Sequence, residues 1–372
     1  MAGMAVTIGV PAETAPGEQR VALVPESAAK LIKGGAAVVV QRGAGLRAGF
    51  PDEAYTKLGA TIADSAAATC ANADVVLRVR RPSADEVALI KNGALLIALL
   101  QPGANGDLPS TLAARKVSAL ALEKVPRITR AQSMDVLSSQ ATVSGYKAVL
   151  LGAAALDKFL PMLTTAAGSI RPANVFIIGA GVAGLQAIAT ARRLGGVVSA
   201  FDVRAAAAEQ VQSLGAKFIA SELVSAGAED KGGYAKAQAA DEAKRTLEAI
   251  GKHIVMQDLV ITTALIPGKP APKLITAAMV RGMHPGAVIV DLAAEAGGNC
   301  ELTKPGETIT VNGVTIIGAM NLAATVPLHA SEMLSRNILT LLQHLIKDGA
   351  LTLDPAEEIT KAMLITHDGA TL

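Results

Sequence analysis

The stretch from Asn174 to Arg204 constrains the fold more than any other part of the chain. An apolar, β-rich run, Val175 to Ile178, leads into Gly179-Ala180-Gly181-Val182-Ala183-Gly184. A helical segment follows to Leu194, then a second strand, Val197 to Phe201, which ends at Asp202, 18 positions beyond Gly184. Strand, glycine turn, helix, strand and acid form the order of a dinucleotide-binding βαβ unit. A glycine triplet alone would also suit an ordinary βα turn; the flanking strands, helix and acid select the cofactor reading. Gly179 permits the tight turn, Gly181 has no side chain to hold the backbone off a pyrophosphate, and Gly184 lets the helix pack close on the sheet. The pyrophosphate is expected on the N–H groups at the helix start, where the dipole favours negative charge. Asp202 favours NAD(H), because a carboxylate accepts both ribose hydroxyls and repels the 2′-phosphate of NADP(H). Arg204, two positions on, is a group that can pair with such a phosphate.

One such unit does not use 372 residues, and two domains are the default at this length. The chain is 51% hydrophobic and 18% charged, enough apolar residues for large cores. Aromatic residues make up 2%, with no Trp, which argues against stacking platforms for nucleic acid. A formal net charge of +2 points to no polyanionic partner. Cys70 and Cys300 form no CxxC pair, so neither a disulfide framework nor a metal site is expected, and a reducing cytoplasm fits. The start shows no basic segment followed by a long apolar run, so no signal peptide is expected. The longest apolar runs, Ala94–Leu100 and Ala148–Leu156, fall short of the ~18 residues a membrane span needs.

Residues 1–123 alternate strand patterns with helical ones. The strands are expected at Ala5–Val10, Ala37–Gln41, Val75–Val79, Ala94–Leu100 and Val117–Leu122, with helices near Ser27–Lys33, Asp52–Leu58, Ala84–Lys91 and Pro109–Lys116. That alternation implies a second parallel α/β domain. A helix over Ser139–Phe159 is expected to carry the chain between domains. From Thr325 a long helical pattern, broken by Pro327, is expected to cross back. The architecture is therefore α/β, two Rossmann-like domains with parallel sheets and a cleft between them. The expected division is 1–137 plus 330–372 for the N-terminal α/β domain and 138–329 for the NAD(H)-binding Rossmann domain. Within the latter, the small-residue-rich stretch Ser221–Lys236, with Gly232-Gly233-Tyr234, reads as a lid or a surface insertion.

The segment 124–138 breaks the alternation with polar and charged residues between an apolar strand and an apolar helix. Irregular joins of this kind often carry site residues. None of the five histidines lies in the first 252 residues. A dehydrogenase acting on an alcohol or amine removes a proton as well as a hydride, and histidine usually takes it. His253 and His284, near helix ends, read as structural or surface residues. A hydride passing directly between two nicotinamides needs positioning groups only. Arg127 can bond a carboxamide or hold a carboxylate, and Gln132 offers donor and acceptor without charge. Asp135 can fix Arg127 or bond a ribose hydroxyl, and Ser138 adds a hydroxyl. The same residues also suit a solvated interdomain loop with an internal ion pair.

The segment Arg127-Ile-Thr-Arg-Ala-Gln-Ser-Met-Asp-Val-Leu-Ser-Ser-Gln140 closely resembles the signature loop of the NAD(H)-binding component, domain I, of proton-translocating transhydrogenase. The likeness continues through Ala166–Gly168, Gly179–Thr190, Asp202–Arg204, Gly232–Lys236, Ile261–Pro272 and Asp291–Asn299, over essentially the whole chain. The resemblance implies that Arg127, Gln132, Asp135 and Ser138 surround the dihydronicotinamide and its ribose. It implies that Gly179, Gly181, Val182, Ala183, Gly184, Asp202, Val203 and Arg204 hold the pyrophosphate and adenosine. Gly233 and Tyr234 would ride on a loop closing over NAD(H), with Ala264 and Leu265 on the adenine side. It further implies a homodimer, a partner component that binds NADP(H), and a membrane component that conducts protons. A chain that stops at Leu372 without a hydrophobic tail resembles the version in which domain I is a separate subunit, cytoplasmic and peripheral to the inner (plasma) membrane through its partners.

Alanine dehydrogenase is similar in layout. Arg20 in Glu-Gln-Arg-Val-Ala matches the substrate-carboxylate arginine of that family. Its lysine, its catalytic histidine and its later aspartate correspond to Arg78, Gln101 and Glu295 here. Arginine is no tunable base and glutamine exchanges no proton at neutral pH, so these departures argue against amino-acid oxidation. A catalytically inert NAD-binding redox sensor would keep most of the same binding residues.

Overall fold

The computed structural model describes residues 5–103, 106–220, 240–266 and 269–372. The chain divides into two compact units, residues 1–140 with 323–372 and residues 141–322. The sequence placed these boundaries at 137/138 and 329/330. The first boundary falls inside one long helix, which accounts for the offset there.

In the N-terminal part, β1 (Thr7–Val10), β2 (Ala37–Gln41), β3 (Thr61–Ala63), β4 (Val75–Leu77), β5 (Leu95–Ala98) and β6 (Ser118–Ala121) alternate with α1 (Pro25–Lys33), α2 (Asp52–Thr56), α3 (Ala66–Cys70), α4 (Ala84–Ala88) and α5 (Leu108–Ala114). Sequence patterning missed β3 and α3, whose short lengths leave little periodicity to detect. Local chemistry fixes the helix ends. Pro25 opens α1, with Glu26 in its first turn and Lys30 and Lys33 in its last. Ser83 and Glu86 close a reciprocal capping box on α4. Strand β5 is buried on every residue, as a parallel strand covered on both faces should be.

The second unit follows α6 (Val136–Ala155), whose last part belongs to it, and a hairpin of β7 (Leu163–Thr165) and β8 (Gly168–Ile170). Then come β9 (Asn174–Ile178), α7 (Val182–Arg193), β10 (Val197–Phe201), α8 (Ala205–Ser213), β11 (Lys217–Phe218), α9 (Ala240–Ile254), β12 (Leu259–Thr262), α10 (Ala277–Gly282), β13 (Val288–Asp291), β14 (Thr308–Val311) and β15 (Val314–Gly318). The sheet order is β11-β10-β9-β12-β13-β15-β14, parallel except for the edge pair β14–β15. The first five strands thus run third, second, first, fourth, fifth, the doubly wound order whose crevice lies between β9 and β12. Asn312-Gly313 joins β14 to β15 with positive φ at both residues, 51° and 77°. That is the two-residue turn matched to strand twist. Its Asn-Gly signature stands plainly in the sequence, though this hairpin was not among the expected elements.

The chain returns through α11 (Pro327–Leu345), a small hairpin of β16 (Ile346–Lys347) and β17 (Ala350–Leu351), α12 (Glu358–Met363), β18 (Leu364–His367) and β19 (Ala370–Thr371). Pro327 does not break the helical pattern as expected. It occupies the first turn of α11, where a missing N–H costs nothing. The returning strands complete the first sheet, ordered β19-β18-β6-β5-β4-β1-β2-β3. Its six parallel strands run third, second, first, fourth, fifth, sixth, and β18 pairs antiparallel with β6. Leu334, Ile338, Leu341 and Leu342 of α11 join the core formed by β1, β2, β4 and β5.

Candidate functional site

The fully buried run Val175–Ile178 drives β9 into the sheet centre, so its carboxyl end delivers Gly179 to the crevice. Gly179 has φ +94°, a conformation side chains rarely adopt. A Cβ on Gly184 would lie 1.9 Å from the Gly179 carbonyl oxygen. Its role is thus sharper than close helix–sheet packing: it lets the first turn of α7 touch the turn that precedes it. Over Gly181 there is room, since a Cβ there would meet only an Arg204 nitrogen, at 3.9 Å. Gly181 caps α7 without a side-chain hydrogen bond. The N–H groups of a first helical turn have no intrahelical partner, so this helix start can receive an anion. Open space and uncapped donors fit the pyrophosphate of a dinucleotide.

Asp202 is buried at the end of β10. Its Oδ2 accepts from the Ala180 amide at 2.7 Å, which ties the second strand to the glycine turn. Arg204 forks onto the same carboxylate, Nε to Oδ1 at 2.9 Å and Nη2 to Oδ2 at 2.8 Å. A guanidinium so engaged is opposed by an adjacent carboxylate in any contact with a 2′-phosphate. Val203 packs against the sheet core, whereas Val182 and Leu265 leave apolar side chains exposed on the unit's surface.

Across the crevice, β12 ends at Thr262. Thr263 donates its Oγ1 hydrogen to the Gly179 carbonyl at 3.0 Å. Asn299 then grips Ala264 on both sides, Oδ1 accepting from its amide at 3.1 Å and Nδ2 donating to its carbonyl at 2.9 Å. Behind this, Asp291 is fully buried and accepts from Thr262, Thr303, Ala293 and Cys300, all within 3.0 Å. Sequence reasoning gave none of Thr263, Asn299 or Asp291 a role. It also passed over Gly145, where a Cβ would sit 2.1 Å from the Ala183 carbonyl oxygen. A glycine inside an otherwise helical pattern is the signal that was available. Gly233 and Tyr234, and the stretch Ser221–Lys236 expected as a lid, lie outside the described residues.

In the first unit, the segment after β6 forms tight 3-10 turns over Thr129–Met134 before α6 begins. Ala131 and Met134 are buried while Arg127 and Gln132 are exposed. Asp135 turns its carboxylate onto Ser138, accepting from the Ser138 amide at 2.9 Å and from its Oγ at 2.6 Å. The pair closes the first turn of α6. All four loop residues singled out from the sequence thus lie on one short segment, two facing solvent and two bonded to each other.

Four of the five histidines are engaged elsewhere. His253 lies edge-on to Phe176, with Nε2 2.8 Å from the Ser199 Oγ, and burial followed by the Lys217 charge lowers its pKa. His284 approaches Asp258, His344 meets Glu357, and His367 meets Ser118. Among the described residues no three His, Cys, Asp or Glu side chains gather as metal ligands.

The residues matched to a dehydrogenase's substrate site are also occupied. Arg20 is buried and forks onto Glu18 with Nε and Nη2, each at 2.7 Å, while Nη1 donates to Gln140 at 2.7 Å. Arg78, also buried, lies between Glu86 at 2.7 Å and Glu13 at 3.6 Å. Gln101 holds a left-handed φ of 46°, with its amide and that of Leu100 donated to the Glu123 carboxylate.

These features define a two-unit α/β protein with one Rossmann-type dinucleotide crevice and a separate polar loop. Residues 9–144 match the family described as alanine dehydrogenase/PNT, N-terminal domain, and residues 148–372 match its C-terminal domain. The chain is 49% identical over 371 residues to an NAD(P) transhydrogenase subunit alpha chain of Rhodospirillum rubrum, covering 98% of this chain and 97% of that one. It superposes on a crystal structure of transhydrogenase from Sinorhizobium meliloti with TM-score 0.90 and 47% identity, over 98% and 100% of the two chains. An L-alanine dehydrogenase structure superposes with TM-score 0.82 at 27% identity, over 99% and 97%. The chain belongs to the alanine dehydrogenase/PNT family and, within it, to the NAD(P) transhydrogenase alpha subunits.

Proposed function

We propose that this chain is the NAD(H)-binding component of a proton-translocating transhydrogenase. Bound NADH supplies a hydride from its dihydronicotinamide to NADP+ held on a partner component, leaving NAD+ and NADPH with no proton gained or lost. The chain's own work is then to hold and to aim. The uncapped start of α7 takes the pyrophosphate, and Asp202, whose charge disfavours a 2′-phosphate, takes the adenosine ribose. Arg127 and Gln132 orient the carboxamide through charged and neutral hydrogen bonds, and Asp135 with Ser138 steadies the nicotinamide ribose. Such positioning is what a transfer between two like rings requires.

The observation that carries this reading is the 127–138 segment itself. It offers donors and acceptors for positioning and no imidazole. The two arginines that an amino-acid dehydrogenase site would involve are already paired with carboxylates. The alanine dehydrogenase reading and the inert sensor reading are the alternatives.

A homodimer belongs to the same proposal. Phe159 and Met162 ahead of the β7–β8 hairpin, and Leu163 and Ile170 on it, are exposed large apolar side chains that a second copy would cover. Among the described residues no helix is long and apolar enough to cross a membrane. Attachment to the inner membrane is assigned to the proton-conducting partner component, on the cytoplasmic side.

Mixing the protein with NADH, an NADP+ analogue and a purified NADP(H)-binding component tests the proposal. Hydride transfer is expected, and its absence sinks the reading. Oxidation of L-alanine with NAD+ by this chain alone would instead support the dehydrogenase alternative.

A further inference from the structure

The 127–138 segment is pinned from behind by the C-terminal stretch of the chain. Ala131 and Met134 pack into a core shared with α11. On the polar side, Asn337 of α11 donates from Nδ2 to the Ser133 carbonyl at 2.7 Å, one residue from Gln132. Arg130 spans two carboxylates at the start of α12, Nη1 reaching Glu357 Oε1 at 2.7 Å and Nη2 reaching Glu358 Oε2 at 2.9 Å. The Glu357 approach is an ion pair rather than an aligned hydrogen bond, since that oxygen has no hydrogen-bond partner. Glu357 is itself fixed, its Oε2 accepting from the Ile359 and Thr360 amides at 2.9 Å and contacting His344 at 3.2 Å.

Two features set this clamp apart from ordinary surface decoration. First, exposed ion pairs contribute little to folding, yet here one arginine engages two carboxylates, one of them locked by three further contacts. Second, the Asn337 Oδ1 atom is buried with no protein partner. A buried acceptor left unsatisfied is a cost that an apolar side chain at this place on α11 would avoid. The amide is therefore retained for what its nitrogen does, which is to hold the backbone beside Gln132. In a 3-10 segment with three residues per turn, Arg130 and Ser133 share one side and Gln132 lies off it. Anchors on the first side leave Gln132 presented on another.

We infer that Arg130, Asn337 and Glu357 are positioning residues for the proposed hydride-transfer site, with α11 and the start of α12 as the plate against which Arg127 and Gln132 are aimed. The inference rests on the function proposed above. A misplacement of order 1 Å at a reacting group costs about 100-fold in rate, while the cofactor's pyrophosphate and adenosine contacts lie on other residues.

The test uses the full chain with the NADP(H)-binding component. Arg130→Met and Asn337→Ala are expected to slow hydride transfer about 10-fold each, with the NADH dissociation constant held within about two-fold. Arg130→Lys, which keeps charge but not the fork, should recover part of the rate. Amide hydrogen exchange over 129–134 should quicken in both variants while 174–201 stays as in wild type. Transfer and loop exchange that both match wild type would overturn the inference, as would a rate loss matched by an equal loss of NADH affinity. A wild-type protein that transfers no hydride defeats the functional reading alone, and the exchange measurement then decides the clamp.

Discussion

The two sheets are wound alike, and the places where their strand order reverses are finished in opposite ways. In the second unit, β9 and β12 end in glycine and small residues, and the donors at the start of α7 carry no cap. In the first unit, β1 and β4 part at the corresponding position, and the chain fills it with its own anion. Glu13 is buried there, accepting from the Val79 amide at 2.7 Å and the Arg80 amide at 3.3 Å beside the Arg78 guanidinium. Burial pushes the Glu13 carboxyl up, and Arg78 and the Val79 amide pull it back. The lesson is that topology creates a crevice and side chains decide whether it stays open. One switch point offers backbone groups to a ligand; the other has a carboxylate built in where a ligand's negative group would go.

Removing Arg78 tests the filled crevice most severely. Arg78→Met strands Glu13 beside apolar atoms and should cost about 3–5 kcal/mol in denaturant unfolding. NADH affinity should stay within about two-fold, because the open crevice is in the other unit. A cost below about 1 kcal/mol would mean the pair is not what closes the site.

Gly184→Ala is the matching change on the open side. A methyl 1.9 Å from a backbone oxygen forces the helix start away from the turn. That should weaken NADH binding about 100-fold in titration, about 2.7 kcal/mol. Unchanged affinity would show that α7 does not hold the phosphates.

Gln132→Asn shortens a positioning group and leaves both crevices alone. It should slow hydride transfer about 10- to 100-fold in single-turnover mixing, with NADH affinity within a few-fold. An equal loss in both would assign Gln132 to binding instead.

The smallest effect is expected from pH. Burial raises the Glu357 carboxyl, but the Thr360 amide, Arg130 and His344 outweigh it and hold the group down to about 2, against its ordinary 4.5. A depressed carboxyl contributes its stability above the unfolded value and loses it as pH falls toward the folded one. Wild type should therefore exceed Glu357→Gln by about 1 kcal/mol at pH 6, given solvent screening, and the gap should close between about pH 4.5 and 2. A pH-independent gap would mean the charge is not what matters.

Much of this was legible in the sequence, and the reasons differ by region. Long apolar strands flanked by helices marked both sheets, because parallel strands buried on two faces read as continuous runs. The cofactor crevice was legible because backbone geometry demands glycine at fixed spacing. Short elements such as β3 and α3 lack the length for a period to emerge. Gly145, Thr263 and Asn299 were missed because their roles come from partners far along the chain: Gly145 meets Ala183, Thr263 meets Gly179, and Asn299 meets Ala264. Pairings such as Arg20 with Gln140 or Asn337 with Ser133 leave no local pattern at all. The 127–138 loop lay between these cases. Its residue types suggested positioning without proton transfer, and only its likeness to a family loop separated that from a solvated turn.

The first sheet is a split one: β1 to β6 precede residue 140, while β18, β19 and α11 follow residue 323. During synthesis the early half must wait, its β6 edge unpaired and its β1–β5 core lacking the α11 leucines, until nearly the whole chain has emerged. The second unit, continuous in sequence, can fold in that interval and brings the two ends of the gap together. Closing that long separation is the step expected to govern refolding speed. A chain circularly permuted to begin near residue 323 would make the first unit continuous, and it offers a direct way to see whether that wait is where the folding time goes.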